Sequence, residues 1–364
     1  MTDSRAGSIP FDTDVVIVGA GIAGLSAAAE LVASGRRVLV LEKSRGVGGR
    51  MATRRVGDAV CDHGAQFFTL RGPAFGGMVA EAHEAGAVAT WCEGFAQAAS
   101  IEATVTPAVD GHARWRGVSG MTDLPKRLAA RLPADRCLLR TAVKVAAIGV
   151  DGGRVRISLE PGPEAGEPIT LHAAAVIVTS PVPQSLDLFA AGGLLGGEGG
   201  IAPEIHQQLA TVHYDPSFAL MLVLSHPSLV PPPGGIQFAG GPISWLADNQ
   251  QKGISSVPAL TVHASGAFSR EHFDDPPEDI TAALIELVRP WIDGDPATAV
   301  VEQSLHRWKF ATPTTIIPAP LVAAVMSPPI VCCGDAFGGP KVEGAASSGL
   351  AAGRWVARVL AGVG

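Results

Sequence analysis

Little in this 364-residue sequence points to nucleic acid, a membrane or an oxidising compartment. Lys and Arg form no basic run, and the formal net charge is −7, which excludes nucleic acid as an expected partner. The five cysteines (Cys61, Cys92, Cys137, Cys332 and Cys333) show neither a Cys-x-x-Cys pair nor zinc-ligand spacing. No metal site is expected. Cys332 and Cys333 are adjacent on an expected buried strand, a poor geometry for a disulfide, so a reducing cytoplasm is the simplest compartment. No apolar stretch reaches the ~20 unbroken residues a membrane helix needs. Residues 318–333 are interrupted by prolines, and residues 15–32 by a glycine turn and Glu30, with no cleavage pattern after the polar start. High Ala and Gly content accounts for the positive mean hydropathy. There is a single tyrosine, Tyr214.

What is present is concentrated in residues 14–50, DVVIVGAGIAGLSAAAELVASGRRVLVLEKSRGVGGR. A β-branched apolar run at 15–18 leads into Gly19, Gly21 and Gly24. A helix of small residues follows, then a second apolar run at 38–41 closed by Glu42. Gly19 permits the tight turn. Gly21 lets a pyrophosphate approach the backbone, and Gly24 lets the helix pack on the sheet. The helix start at Ile22 and Ala23 offers N–H groups and a positive dipole end to phosphates. Glu42 lies 18 residues past Gly24, where a carboxylate takes the adenosine ribose hydroxyls. Strand, turn, helix, strand and acid are all in order, which a chance three-glycine match would not produce.

Two further features select the dinucleotide. Arg45, Gly48, Gly49 and Arg50 follow Glu42; the glycines allow a second close approach, and Arg50 suits a pyrophosphate. Residues 328–360 read as a strand, a Gly334-Asp335 turn and a helix opening at Val342-Glu343-Gly344. Asp335 suits a ribityl hydroxyl, and the helix end suits the flavin edge that turns negative on reduction. Small residues at Gly344, Ser348 and Ala352 let one face press on a flat ring or another backbone. A nicotinamide dinucleotide has no use for this second element, so FAD is the expected cofactor.

Along the chain, residues 1–13 read as a leader. Helical spacing covers 76–90 and 121–132, the latter with Pro125 in its first turn. Residues 137–148 and 154–159 alternate like strands around an Asp151-Gly152-Gly153 turn. Residues 171–179 read as one buried strand returning to the first sheet. The glycine-rich 192–200 lacks a preceding strand and is not a second nucleotide site. Strands at 218–224, 243–246 and 259–264 and a helix at 280–288 form a second layer. The expected fold class is α/β: a Rossmann-type FAD-binding domain with an inserted substrate domain on a mixed or antiparallel sheet with helices. The expected division gives 14–75, 102–182 and 300–364 to a discontinuous FAD-binding domain, and 76–101 and 183–299 to the substrate domain.

The stretches KSRGVGGRM (43–51), DHGAQFFTLR (62–71), VIVTSPVPQ (176–184), WLADN (245–249), HASGAFSR (263–270), HRW (306–308), CGD (333–335) and VEGA (342–345) resemble the renalase group of the flavin-containing amine oxidase superfamily. GAQFFT, WLADN and HRW are the more telling. The resemblance implies an amine oxidase or p-hydroxybenzoate hydroxylase-like fold and non-covalent FAD. It adds Lys43, Gly64, Ala65 and Gln66 to the cofactor contacts, and Val143 against the adenine through backbone groups. It implies oxidation of the 2- and 6-dihydro isomers of NAD(P)H, with O2 as the electron acceptor and hydrogen peroxide as product. Two departures stand beside the expected flavin edge: Ala336 replaces a bulky aromatic, and Pro340-Lys341 replaces Gly-Arg.

Gln66, Phe67, Phe68, Trp245, His263, His306 and Trp308 are the candidate substrate residues. By residue type alone the tryptophans and histidines read first as core, and the phenylalanines as core or pocket alike; the resemblance places the phenylalanines at the pocket. One tryptophan could stack on a planar substrate, and the histidines could serve a carboxamide. No nucleophile–base constellation is assignable, and hydride transfer needs none. Two other functions stay open. An amine oxidase would use an aromatic cage, often of tyrosines, and Phe337 with Trp308 is the available substitute. A non-catalytic flavin-binding redox sensor would carry the same cofactor motifs. A desaturase or isomerase on an apolar substrate is a further option. The expected partners are a small-molecule substrate (a dihydronicotinamide dinucleotide or an amine) and O2.

Overall fold

The computed structural model describes residues 13–161, 169–196 and 199–362. The leader expected at the N-terminus falls almost wholly outside the described residues, as does part of the 192–200 loop. The chain divides into two compact units.

The first unit takes residues up to Gly49, Pro125–His213 and Thr314 onward. Its six-stranded sheet runs Val322–Met326, Pro329–Cys332, Ala175–Val178, Val15–Val18, Val38–Leu41, Cys137–Arg140. All neighbours are parallel except the first pair. Parallel strands covered on both faces read as unbroken apolar runs, which is why VVIV, VLVL and AVIV are fully buried. The helix Ile22–Ala33 lies against the final helix, Lys341–Leu360. Their contact is backbone to backbone: a Cβ on Gly349 would sit 2.0 Å from Ala23 O, and one on Gly353 2.7 Å from Ala27 O. Gly349 and Gly353 thus serve helix packing, whereas a Cβ on Gly344 would meet Gly339 O at 2.1 Å and Ser348 bonds Gly334 and Pro320. Thr170–Ala173, Arg154–Leu159 and Val145–Asp151 form a separate antiparallel sheet.

The second unit takes Arg50–Leu124 and Tyr214–Pro313. Its six-stranded sheet runs Val300–Pro313, Tyr214–Leu224, Ala259–Ala264, Ile243–Asp248, Gly235–Phe238, Ala96–Ala98. It is antiparallel except for the last pair. Alternation splits the strand Tyr214–Leu224 between two cores. Phe218, Leu220 and Leu222 face the helix Pro277–Val288 through Ile280, Leu284 and Val288. Met221 and Val223 face the hairpin Thr53–Val56/Ala59–Asp62 through Val56, Ala59 and Cys61.

Several expectations change in detail. Residues 137–148 are two strands in different sheets, parted by Ala142 with φ 56. Residues 171–179 likewise split, because Ala174 and Ala175 donate to Asp14 O and break the run between two sheets. The helix expected over 76–90 is Pro73–Glu84, with Pro at its start, followed by the strand Val88–Cys92. The helix expected over 121–132 is the shorter Asp123–Arg131, since Met121 N–H donates to Asp62 Oδ1. The compact units also divide the chain differently from the expected domains. Residues 50–75, 102–124 and 300–313 cluster with the second unit, where the hairpin covers the sheet, and 183–213 cluster with the first.

Candidate functional site

The glycine turn of the first unit is built for a close ligand. Gly19 has φ +108, and its N–H donates to Leu41 O at 2.8 Å. A Cβ on Gly24 would lie 2.0 Å from Gly19 O, whereas one on Gly21 would meet nothing within 4 Å. The turn is therefore tight inside and open outside. The first-turn N–H groups of Ile22 and Ala23 have no acceptor within the helix. Gly48 N–H donates to Ala20 O at 2.9 Å, folding the Gly48-Gly49 loop beside the turn. Glu42, 6% exposed, accepts from Ala20 N–H (2.9 Å) on one oxygen and from Ser44 N–H (2.7 Å) on the other. Each oxygen keeps a lone pair for a ribose hydroxyl. The open cradle and the anchored acid fit the adenosine pyrophosphate half of FAD.

Other expected cofactor residues are placed as follows. Lys43 Nζ lies 3.4 Å from Gln184 Oε1. Val143 N–H donates to Glu42 O at 2.9 Å, so only its carbonyl remains for an adenine. Gly334 N–H donates to Ser348 Oγ (2.8 Å), and Ser348 Oγ to Pro320 O (2.6 Å), which fixes the turn carrying Asp335. Val342 and Glu343 occupy the first turn of the final helix after Pro340 as N-cap. Ala336 is fully buried and its carbonyl accepts from Ile317 N–H, so this position lies in the core. Phe337 is buried as well.

Arg50, Gly64, Ala65 and Gln66 belong to the second unit. Arg50 Nη1 lies 3.4 and 3.3 Å from the carbonyls of Phe310 and Ala311, with its guanidinium 5.7 Å from the Tyr214 ring centroid. Ala65 N–H donates to Arg50 O at 2.8 Å, and Gly64 packs so close that a Cβ would be 2.1 Å from Arg50 O.

The same unit gathers most of the substrate candidates on one face of its sheet. Register sets His306 opposite Ala219, Ala219 opposite His263, and His263 opposite Trp245. Residues in register share a face, so the two imidazoles and the indole form a row. Trp308, two residues on from His306, joins it. Gln66 reaches this row, with Nε2 3.4 Å from His263 Nε2. Phe67 packs at 5.6 Å from the Trp245 ring and 4.8 Å from Phe95. Phe68 does not join: it is 3% exposed, pairs through its backbone with Trp115, and its ring packs on Phe75. It is a core residue because its bridge to Trp115 holds the ring against Phe75.

Residues that the sequence did not single out complete the arrangement. His63 stacks on Trp308 (5.5 Å, 18°) and meets His306 edge-on (4.9 Å, 76°), while its carbonyl accepts from Trp308 Nε1 at 2.7 Å. Burial holds His63 down at about 3, with His306, Arg54 and His263 adding to the effect. Burial, with Lys252 behind it, holds His263 at about 4. His306 is lowered too, by burial and then Arg54. The imidazoles are therefore neutral at neutral pH. Asp62 and Lys252 form a buried ion pair beneath them. DHGAQ carried a signal for His63 and Asp62; Lys252, in NQQKG, reads as a solvated loop. Among the described residues no cluster of three or more His, Cys, Asp or Glu is placed to hold a metal ion, and no helix is long and apolar enough to cross a membrane.

Comparison with known proteins adds the family. The model of flavin containing amine oxidoreductases matches residues 85–356, and that of the NAD(P)-binding Rossmann-like domain matches 17–82. Protein anon-37Cs of Drosophila melanogaster is 47% identical over 62 residues, 17% of this chain and 12% of that protein. Putrescine oxidase of Kocuria rosea is 46% identical over 71 residues, 19% of this chain and 15% of that protein. The matched stretches thus span less than a sixth of those relatives' own length. Cyclohexylamine oxidase from Brevibacterium oxydans IH-35A shares the fold, with TM-score 0.68 at 14% identity over 96% of this chain and 100% of that chain.

Proposed function

Since the chain belongs to the flavin containing amine oxidoreductase family, we propose that it is an FAD-dependent oxidase of the renalase kind, acting on the 2- and 6-dihydro isomers of NAD(P)H. The cofactor is FAD. On this reading the Gly19-Gly21-Gly24 turn with Ile22 and Ala23 holds the pyrophosphate, Glu42 the ribose, and Asp335 and the Val342-Glu343 helix start the flavin end. Bound FAD supplies the hydride acceptor, and O2 takes the two electrons as hydrogen peroxide.

The observation that carries the substrate class is the neutral row. His63 and His263 are held uncharged at about 3 and about 4 by burial. Trp308, Phe67 and Trp245 add flat apolar surface, and the neighbouring acid, Asp62, is paired with Lys252. Flat rings suit a planar substrate, and the charge of Asp62 is already met by Lys252 rather than left for an ammonium ion. The chain's own work is then to orient that ring and exclude water. Five free cysteines agree with a reducing cytoplasm as the place of action.

The test is anaerobic mixing of the purified yellow protein with the dihydro isomers, ordinary NADH and putrescine. Bleaching by the isomers within seconds, with the others far slower, is the expected result. Amine oxidation is the second reading, favoured by the names of two relatives, and rapid bleaching by an amine alone would install it. A protein that no small reductant bleaches would be a non-catalytic flavin sensor.

A further inference from the structure

An accessible cation stands at one end of the histidine row. Arg54 lies in the hairpin strand Thr53–Val56, on the same side as Val56, which is buried against the sheet. Its guanidinium reaches the edge strand Val300–Pro313, with Nη1 3.3 Å from Ser304 Oγ. Register sets Ser304 opposite Met221, His306 opposite Ala219 and Trp308 opposite Ser217, so the three follow one another on a single face. Arg54 also helps to depress both His63 and His306, which places its charge beside their rings. It forms no ion pair among the described residues. Glu302, two residues before Ser304, is turned against Gly57, where a Cβ would meet its Oε1 at 2.4 Å. Asp62 is taken by Lys252. Arg54 is exposed and Ser304 half-buried, so a ligand reaches both from solvent without opening the core. A guanidinium fork beside a hydroxyl offers three donors to one phosphate, and here they border a neutral aromatic face.

We propose that Arg54, with Ser304, binds the phosphate next to the nicotinamide ribose of a dinucleotide substrate. This rests on the dihydronicotinamide reading and deepens it by naming what holds the charged part of the molecule. Residues two apart on a strand stand about 7 Å from each other, so Ser304 lies about one ribose beyond His306. With the ring against His306 and Trp308, the phosphate on the ribose 5′ oxygen falls at the guanidinium. The contact requires that phosphate and nothing beyond it. A mononucleotide carries it, and a riboside does not.

The experiment is calorimetric titration of the FAD-loaded protein with nicotinamide mononucleotide and nicotinamide riboside. The parent protein should prefer the mononucleotide by on the order of tenfold or more. Arg54→Gln should bring the two affinities within about twofold of each other, and the exposed position keeps the fold. Arg54→Lys should keep part of the preference, because an ammonium is a point charge without the fork. Arg55→Gln removes the same charge from the other side of the hairpin strand and should keep all of it. Equal binding of the two ligands by the parent overturns the assignment, and so does failure of both to bind. Full preference in Arg54→Gln overturns it as well, as does an equal loss in Arg55→Gln, which would mean net charge rather than a site. Binding is read apart from turnover. A preference that depends on Arg54, without bleaching by the dihydro isomers, removes the oxidase reading and keeps the phosphate site. Bleaching without such a preference removes the phosphate site alone.

Discussion

Lys252 Nζ lies 2.6 Å from Asp62 Oδ2, and both side chains are wholly withdrawn from solvent. The other Asp62 oxygen accepts from Met121 N–H at 2.8 Å and from Thr53 Oγ1 at 2.5 Å. The Asp62 carbonyl holds Gln66. The ammonium also sits 4.9 Å from the Trp91 ring centroid. This one contact ties the hairpin to the loop after Asn249 and sets the floor under the histidine row.

Removing one charge should therefore be costly. Lys252→Met leaves a buried carboxylate unpaired, and the expected loss is about 3–5 kcal/mol. Urea unfolding measures it. The double variant Lys252→Met/Asp62→Asn should recover a large part, since Asn still offers an oxygen to Met121 and Thr53. A single-variant loss below about 1 kcal/mol, the value of an exposed pair, would show that the contact is not structural.

The histidines make the fold acid-sensitive. Burial holds His63 at about 3 and His263 at about 4, against 6.5 for the free side chain. Below 6.5 the unfolded chain takes up protons that the folded chain refuses. Stability is therefore lost as pH falls from 6.5 towards 4. The slope should approach about 1.4 kcal/mol per pH unit for each imidazole, so about 2.7 for the two. Urea midpoints taken between about pH 7 and pH 5 give the slope. His63→Phe, which keeps a ring beside Trp308, should cut it to about half. A flat profile in the parent protein refutes the buried neutral state.

Glu42 should govern cofactor retention. Its oxygens already hold the Ala20 and Ser44 N–H groups, so Glu42→Gln sets an amide NH2 against one backbone donor. The lost charge-assisted bond is worth about 1.5–3 kcal/mol, on the order of tenfold to a hundredfold in FAD affinity. Dialysis followed by the flavin-to-protein absorbance ratio reads it. Acid precipitation of the parent protein should release the flavin intact as FAD, and colour retained in the pellet would mean a covalent link. Full occupancy of the variant would remove Glu42 as the ribose ligand.

What could be read from the sequence was local. The strand Val15–Val18, the glycine turn and the helix Ile22–Ala33 were legible because one short segment holds the whole pattern. The chain break at Ala142 was not, since residues 137–148 alternate smoothly through it and only φ 56 reveals the corner. Arg50 read as a pyrophosphate partner, but the carbonyls of Phe310 and Ala311, some 260 positions away, also engage it. Asp62 and Lys252 are separated by 190 positions, a pairing no periodicity encodes. His263 and Trp245 stand opposite each other only because two strands register, and Phe68 fell to the core through a backbone pairing with Trp115.

The neutral row also sets the pH dependence of the chemistry. An ammonium substrate must lose a proton before its hydride can leave, so an amine oxidase should speed up steeply as pH rises towards the amine pKa. A dihydronicotinamide has no such proton. The imidazoles facing it do not titrate near neutrality either: His63 and His263 sit at about 3 and about 4, and burial moves His306 in the same direction. Flavin reduction by the 2- or 6-dihydro isomers, followed anaerobically by stopped flow, should therefore be level within about twofold across pH 6 to 8.5. A limb centred near 6.5, the free imidazole value, would mean that a histidine in the row is charged in the working enzyme. The neutral-face argument for a planar substrate would then fail, and a steady rise with pH would favour the amine.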